Sequence, residues 1–442
     1  MADAAAAPAG QVVIPADVKR HRTYALIILT LIYMSSHIDR SIVGILAQPI
    51  KDELGVSDTA IGFLGGFAFA VFYATLGIPL ALLADRTNRR NIIAGAVTVW
   101  SLMTVACGLA TNFLQLVLAR IGVGIGEAGS SPQSHSMIAD MYAPHERSRA
   151  MSVYTLGVTF GVMLGFVIGG YVSTHWGWRS AFFVAGAPGL LLGVILYFTV
   201  REPQRGLADG LAPGARKPQS FSEAMAGLGQ AFVFIWRSRA CRHVVVGLTL
   251  TSFVGYGGTI WAAPFLERTH HIPRADIGLI LGPLAGLAGG FGTVLGGYLA
   301  DRLARGDLRW NSWIIAVGKF GAAPLILAFY TIDNFNIAIL FYMPAAVLGA
   351  FYLGPSFAII QSVAPVAMRA TAAAITLFIL NFIALGLGPL FVGILSDALK
   401  ATYGSESLRY ALMLTSLVNV WAGFHFFLAG PAYKREMDAK AA

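Results

Sequence analysis

Arg120 and Glu127 stand seven residues apart in the stretch RIGVGIGEA, residues 120–128. Seven residues along a helix return to the same face about 10 Å further on. Gly124, between the two charges, leaves room on that face for a partner or a ligand. A second charged group lies upstream in Ser35-Ser36-His37-Ile38-Asp39-Arg40, and both groups are embedded in long apolar runs. Carboxylates and guanidiniums held away from water have two kinds of chemistry open to them. A carboxylate exchanges protons in response to its neighbours, and a guanidinium grips a phosphate or carboxylate through two parallel hydrogen bonds. Measured along their helices, Asp39 and Arg120 fall at nearly the same depth, with Glu127 about two turns further in. An Asp39–Arg120 pair and a poorly paired Glu127 are therefore expected. The alternative is a purely structural ion pair that pins the two helices together. No metal-ligand cluster, phosphate-cradling loop or nucleophile motif stands out, and no cofactor is expected. His135 and Asp140 have an HxxxxD spacing used in acyl transfer, but on a continuous helix they point about 140° apart and would not converge.

The elements that must carry these residues follow from composition. Of 442 residues 56% are hydrophobic and only 12% charged, about half the share in a soluble domain. That excludes a soluble enzyme, a disordered chain and a coiled coil. Twelve runs reach the length of a membrane-spanning helix, at 24–48, 59–84, 91–111, 113–140, 149–174, 179–200, 243–266, 275–300, 311–331, 334–363, 370–398 and 408–429. No alternating strand pattern is present, so the expected class is an all-α membrane protein and not a β-barrel. The hydrophilic stretch 201–242, with Pro203, Pro213 and Pro218, divides the spans six and six. The expected organisation is a tail at 1–23, a bundle at 24–200, a central loop at 201–242, a second bundle at 243–429 and a tail at 430–442.

The halves repeat. Asp85-Arg86 follows the second span and Asp301-Arg302 the eighth, while Ala143-Pro144 closes the fourth and Ala364-Pro365 the tenth. Glycines recur every fourth residue at 157, 161, 165 and 169, and again at 278, 282, 286 and 290, giving smooth stripes for close helix approach. With the N-terminus cytoplasmic, 22 of the 31 Lys and Arg fall on the cytoplasmic side, 6 on the other, and Arg40, Arg120 and Lys319 within spans. Both termini and the central loop are thus expected in the cytoplasm. The excess of nine positive charges flanks the apolar runs instead of forming a stripe, so nucleic acid is not an expected partner.

Gly297–Arg305 (GYLADRLAR) fits the loop motif GxxxDRxxR of the major facilitator superfamily, and residues 81–90 carry a first-half copy with Ala81 and Asn88 where glycines are usual. HIDRSIVG at 37–44, GVGIGEAGSSP at 122–132 and MIADMYAPHERSRAMSVY at 137–154 resemble the spinster type within that superfamily, the proposed lysolipid and sphingosine-1-phosphate carriers. The general likeness covers residues 20–430, the spinster-specific part only the first half, and the compact build with short outer loops looks bacterial. The resemblance implies a monomeric transporter of the bacterial inner membrane, working by alternating access around a cavity lined by spans 1, 4, 7 and 10. It implies proton-responsive roles for Asp39 and Glu127, with Arg40 and Arg120 beside the substrate head group. Read from the residues alone, His37, Tyr256, Tyr352, Asn381 and Trp261 suit either a cavity lining or ordinary packing, and Ser131 is a further candidate substrate contact. Asp85, Arg86, Asp301 and Arg302 would form a gate between the halves. The expected partners are a lipid-like anion, protons and membrane lipids.

Two rivals remain. Organic-anion/proton symporters of the sialin or hexuronate type also place a Glu-Ala pair after glycine in the fourth span. A membrane-embedded lipid-modifying enzyme would need convergent nucleophile, base or metal residues. A second half rich in Phe, Leu and Gly with the single mid-span charge Lys319 favours a lipid tail over a small closed pocket.

Overall fold

The computed structural model describes residues 15–210 and 220–441; the first 14 residues, 211–219, Ala442 and the side chains of Asp85, Ala367 and Ala441 lie outside the description. Almost all described residues are helical, and no strand occurs among them. Among the described residues, nine helical segments are long and apolar enough to cross a membrane. Two of them contain two crossings each. Pro144–Thr199 turns at Gly177, whose φ of 82° and ψ of 163° suit only glycine, and Arg369–Lys440 turns at Gly404, with φ 56°. One further crossing is made in two pieces, Phe113–Glu127 and Ser131–Met141. The twelve expected spans are all present, in two six-helix bundles, and are numbered 1 to 12 below.

Several spans outrun their apolar cores. Span 1 is helical over Ala16–Leu54, ending on Gly55 in the left-handed conformation. The stretch 201–242 is not a plain loop: it holds a seventeen-residue helix, Phe221–Arg237, closed at its start by a capping box of Ser220 and Glu223. The segment expected as a polar tail continues span 12 as helix to Ala441. There Glu436 accepts from Ser238 Oγ (2.7 Å) and Ala240 N (3.0 Å), tying it to the start of span 7. Hydropathy marks only the apolar middle of a helix, so these polar extensions were invisible to it.

Spans 4 and 10 are both interrupted, at 128–130 and 350–352, positions that match across the repeat. Spans 2, 8 and 11 each contain a widened π turn, at Phe63–Phe67, Leu284–Ala288 and Leu380–Leu385. Such turns lie in the spans along which the bundles meet. A methyl group on Gly66 would lie 2.6 Å from the Gly386 carbonyl oxygen, one on Gly62 2.5 Å from that of Pro389, and one on Gly44 2.8 Å from that of Thr259. The glycine stripe of span 8 packs on span 5, with Gly278 against the Phe166 carbonyl and Gly282 against that of Met163, whereas the stripe at 157–169 packs on span 1, with Gly157 against the Thr30 carbonyl and Gly161 against that of Met34. Backbone meets backbone there, which requires glycine.

On the membrane face opposite the 201–242 connection, ion pairs close this seam. Asp58 of span 2 accepts from both Arg268 Nη atoms (2.8 Å each), from Lys51 (2.5 Å) and from Ser396 Oγ (2.6 Å). Asp397 of span 11 caps span 2 in return, accepting from Thr59 N (2.7 Å) and Thr59 Oγ1 (2.6 Å). A carboxylate at a helix N-terminus is favoured by the helix dipole. Residues of both bundles thus share one buried network. A Gly66→Val substitution should wedge this seam apart while leaving each bundle folded. Spin labels at Asp52→Cys and Ser405→Cys should then show longer distances; an unchanged distribution would refute the seam as the closing surface.

Candidate functional site

The charged residues of spans 1 and 4 do come together, but not in the expected pairing. Arg40 Nε donates to Glu127 Oε2 at 2.7 Å and Arg40 Nη2 lies 2.6 Å from the same oxygen. The Asp39 carboxylate is within electrostatic range of Arg120, but the hydrogen bond between the two residues runs to the backbone, Arg120 Nη1 donating to the Asp39 carbonyl at 3.4 Å. Neither oxygen of the fully buried Asp39 carboxylate has a hydrogen-bond partner among the described residues, nor does Arg120 Nε or Glu127 Oε1. Depth along two separate helices fixed the level of these groups but not their azimuth, and azimuth decides the partner. Asp39 and Arg40 are adjacent in sequence and so point about 100° apart on span 1. Arg40 turns towards Glu127, and Asp39 turns into the bundle.

Span 2 supplies what was missed. The Arg40 guanidinium lies 4.9 Å from the Phe69 ring centroid and 4.4 Å from that of Tyr73; Arg120 lies 5.4 Å from Phe69. Two cations therefore rest on one aromatic floor, each stabilised by the ring face in a site with little water. The room at Gly124 is filled by this floor, since a methyl group there would stand 2.5 Å from the Phe69 carbonyl oxygen. Gly126 admits span 3 in the same way, with Trp100 N 2.6 Å from the corresponding position. Phe69 and Tyr73 are one helical turn apart, but in a span with so many aromatics that spacing carried no signal.

Behind Asp39, further polar atoms are buried without partners among the described residues: Ser35 Oγ, Ser101 Oγ and Thr104 Oγ1. Unsatisfied polar groups are rare in folded proteins and costlier still within a membrane. Their concentration around two carboxylates and two arginines makes this the candidate functional region.

His37 lies on the same span, its Nδ1 2.9 Å from the Tyr33 carbonyl oxygen and its ring edge-on to Tyr33 at 4.6 Å. Tyr33 stacks on Tyr154 at 4.4 Å, and His135 meets the same Tyr154 at 5.1 Å. Asp140 instead pairs with Arg89 at 2.5 Å, so His135 and Asp140 do not form a catalytic pair. Ser131 opens the second piece of span 4 and is half-buried. Tyr256, Tyr352 and Asn381 are half-buried in spans 7, 10 and 11. Tyr256 lies within electrostatic range of Arg40, Tyr33, Tyr73 and Tyr352, which places it across the seam from the first-bundle cluster. No hydrogen bond or ring contact joins Asn381 to that cluster among the described residues.

Lys319 pairs locally and does not face the cluster. It is buried in span 9, donates to the Gly349 carbonyl at 2.5 Å and lies 4.6 Å from the Tyr352 ring centroid. Of the four residues expected to form a gate, Asp301 and Arg302 are exposed, and Arg302 bonds Tyr298 one turn back at 3.0 Å. Arg86 is exposed, and the Asp85 side chain falls outside the description. The seam is closed at the opposite face, by Asp58, Arg268 and Asp397, which sit at span ends, where charge is ordinary and carries no signal in the sequence.

Twelve spans in two related bundles, with a buried charge cluster between spans 1, 2 and 4, define a transporter of the major facilitator fold. The chain belongs to the Major Facilitator Superfamily, whose family description matches residues 29–389. Within it the likeness is to the spinster type. The crystal structure of a bacterial homologue of the human lysosomal transporter Spinster, inward-facing and unoccupied, is 32% identical, superposes with a TM-score of 0.84, and the match covers 95% of this chain and 98% of that one. An MFS-type efflux pump of Mycolicibacterium smegmatis is 33% identical over 418 residues, 94% of each chain. A probable L-galactonate transporter of Escherichia coli is 26% identical over 430 residues, 94% of this chain and 91% of that one. Relatives and fold are those of transporters, not enzymes, which removes the lipid-modifying enzyme as a reading.

The pair geometry predicts stability effects of graded size. Glu127→Ala leaves Arg40 buried without its anion and should cost about 3–5 kcal/mol, the usual penalty for halving a buried ion pair. Glu127→Gln keeps an acceptor for Arg40 Nε and should cost clearly less. Thermal unfolding of the purified variants in one detergent measures the difference; equal losses would argue against the pair as a fixed feature.

Proposed function

We propose that this protein is a secondary active transporter that works by alternating access and moves an amphipathic anion, a lysolipid or a sphingosine-1-phosphate-like molecule, in a proton-linked cycle. The observation that carries this reading is the pair of arginines on one aromatic floor, with a single ion-paired carboxylate between them and a second carboxylate unpaired behind. Protonation of Glu127 removes the anionic partner of Arg40, whose guanidinium is then available to a phosphate in bidentate fashion. Substrate arriving at Arg40 displaces Glu127 in the same way, so proton and anion are linked reciprocally. Arg120, with Nε unpaired beside Asp39, repeats the arrangement one layer away. His37, Ser131, Tyr256, Tyr352 and Asn381 are proposed to complete the binding surface, and the apolar second bundle to receive the tail.

On this reading the bundles are 24–200 and 243–429, the connection and both termini are cytoplasmic, and the protein acts as a monomer in the inner membrane. Asp85, Arg86, Asp301 and Arg302 would join across the connection face when the opposite seam opens. Reporter fusions within 201–242 and after Ala442 should both read cytoplasmic; one external reading would reverse the assignment.

A second reading, an organic-anion symporter, is supported by the likeness to the probable L-galactonate transporter. Proteoliposome uptake of lysolipids against sugar acids separates the two. Lysolipid transport should depend on pH in the wild type, lose that dependence in Asp39→Asn and Glu127→Gln, and lose substrate affinity in Arg120→Ala. Folded variants with wild-type pH profiles and affinities would remove the proposed mechanism, and transport of sugar acids alone would select the second reading.

A further inference from the structure

The helix Phe221–Arg237 has three faces, not two. Ala231 and Ile235 are buried against the ends of spans 7 and 11. Glu223, Gln230 and Arg237 form a polar edge. Between these lies a stripe of Phe221, Met225, Phe232, Val233 and Trp236, each 43–59% exposed. On a helical wheel these five fall within about 120°. A surface stripe of large apolar side chains is a contact face awaiting an occupant.

The occupant is indicated by position and charge. The helix turns into span 7 at Ser238, whose Oγ caps the first turn of that span by accepting from Cys241 N at 3.0 Å. It therefore lies at the end of the second bundle where spans 7 and 11 begin. Phe232 and Trp236 stack at 5.9 Å along it, and tryptophan favours the interface between acyl chains and headgroups. Directly after Trp236 come Arg237 and Arg239, both exposed and without a hydrogen bond or ion pair to a described residue. Arg242 donates to the Trp236 carbonyl at 3.3 Å and adds a third positive charge. A groove of about 820 Å³ runs between this helix and the end of span 12, walled by Ala226, Gly229, Val233 and Phe234, with Arg237 and Glu436 on its polar rim. Glu436 does not neutralise Arg237, since its two oxygens are taken by Ser238 Oγ and Ala240 N.

We propose that this helix and groove form a binding site for an anionic glycerophospholipid of the adjoining leaflet, acyl chains along Phe232 and Trp236 and phosphate at Arg237 and Arg239. Interfacial helices of this kind combine apolar burial with attraction to anionic headgroups. The site holds the start of span 7, and hence the second bundle, to the membrane surface. It is separate from the charge cluster of spans 1, 2 and 4 and does not depend on what that cluster carries.

The test uses the full chain in nanodiscs of phosphatidylcholine containing a quarter of phosphatidylglycerol, with bromine on the acyl chains of one lipid at a time. The Trp236 contribution is taken as the difference between wild type and Trp236→Phe. Brominated phosphatidylglycerol should quench Trp236 beyond its bulk share, and Arg237→Gln with Arg239→Gln should lower that preference by about fivefold per arginine while leaving quenching by bulk lipid in place. Millimolar inorganic phosphate should not compete. Equal quenching by the two lipids in wild type, an unchanged preference in the double variant, or displacement by inorganic phosphate would each overturn the site as one for anionic lipid.

Discussion

Two arginines inside a membrane-spanning bundle impose the arrangement around them. A buried guanidinium in such a place has to be met by an anion, a carbonyl or an aromatic face, and each of these is found here. Glu127 takes Arg40, the Asp39 carbonyl takes one nitrogen of Arg120, and Phe69 with Tyr73 receives both cations. The backbone then has to come close enough for short contacts, which explains glycine at 124 and 126, where any side chain would strike Phe69 or Trp100. The break after Glu127 belongs to the same arrangement. It ends the first piece of span 4 at the ion pair and starts the second with Ser131 and Pro132, where the missing proline N–H costs nothing.

The same physics recurs at the seam between bundles, with the difference that its charges sit at span ends. Asp58 gathers Lys51, Arg268 and Ser396, and Asp397 caps the helix that Asp58 begins. These groups can be rehydrated when the seam opens, whereas the Arg40–Glu127 pair lies within the membrane-spanning part of the first bundle. Glycine contacts between spans 2 and 11 and between 5 and 8 supply the dry part of the seam. Polar bonds that water can replace, laid over smooth backbone surfaces, suit an interface that has two states of similar free energy.

How much of this was legible in the sequence depends on the range of the interaction. Hydropathy gave the twelve spans, because crossing a membrane is a property of each segment alone. The cluster residues were visible because charge in an apolar run is conspicuous, and so Asp39, Arg40, Arg120 and Glu127 were found. Their pairing was not, since the choice of Glu127 over Asp39 as partner depends on the rotation of span 1 about its axis. Phe69 and Tyr73 were hidden among many similar aromatics. Asp58 and Arg268 were hidden by lying where charge is ordinary, and their meeting requires two distant turns to fold onto one another. The helix 221–237 was hidden within a stretch read as hydrophilic, although Ser220 and Glu223 carry its capping signature.

The repeat also shows where the halves diverge. Spans 4 and 10 break at matching positions, and each break frees carbonyl groups from the helical ladder. In span 4 the turn is closed internally, with Gly129 N donating to Gly126 O at 3.1 Å and Ser130 N to Glu127 O at 3.2 Å. In span 10 an outside donor also serves, since Lys319 of span 9 bonds the Gly349 carbonyl. Span 3, the counterpart of span 9, contributes no such cation and packs Trp100 against Gly126 instead. The intramembrane charge of the second bundle is thus committed to holding its own backbone, whereas in the first bundle Asp39, Glu127 and Arg120 keep atoms without a partner among the described residues. Incomplete bonding is what leaves a group able to change partners. On the proposed reading that asymmetry assigns the exchange of protons and anions to the first bundle, and leaves the second to offer the apolar surface over which a lipid tail can slide.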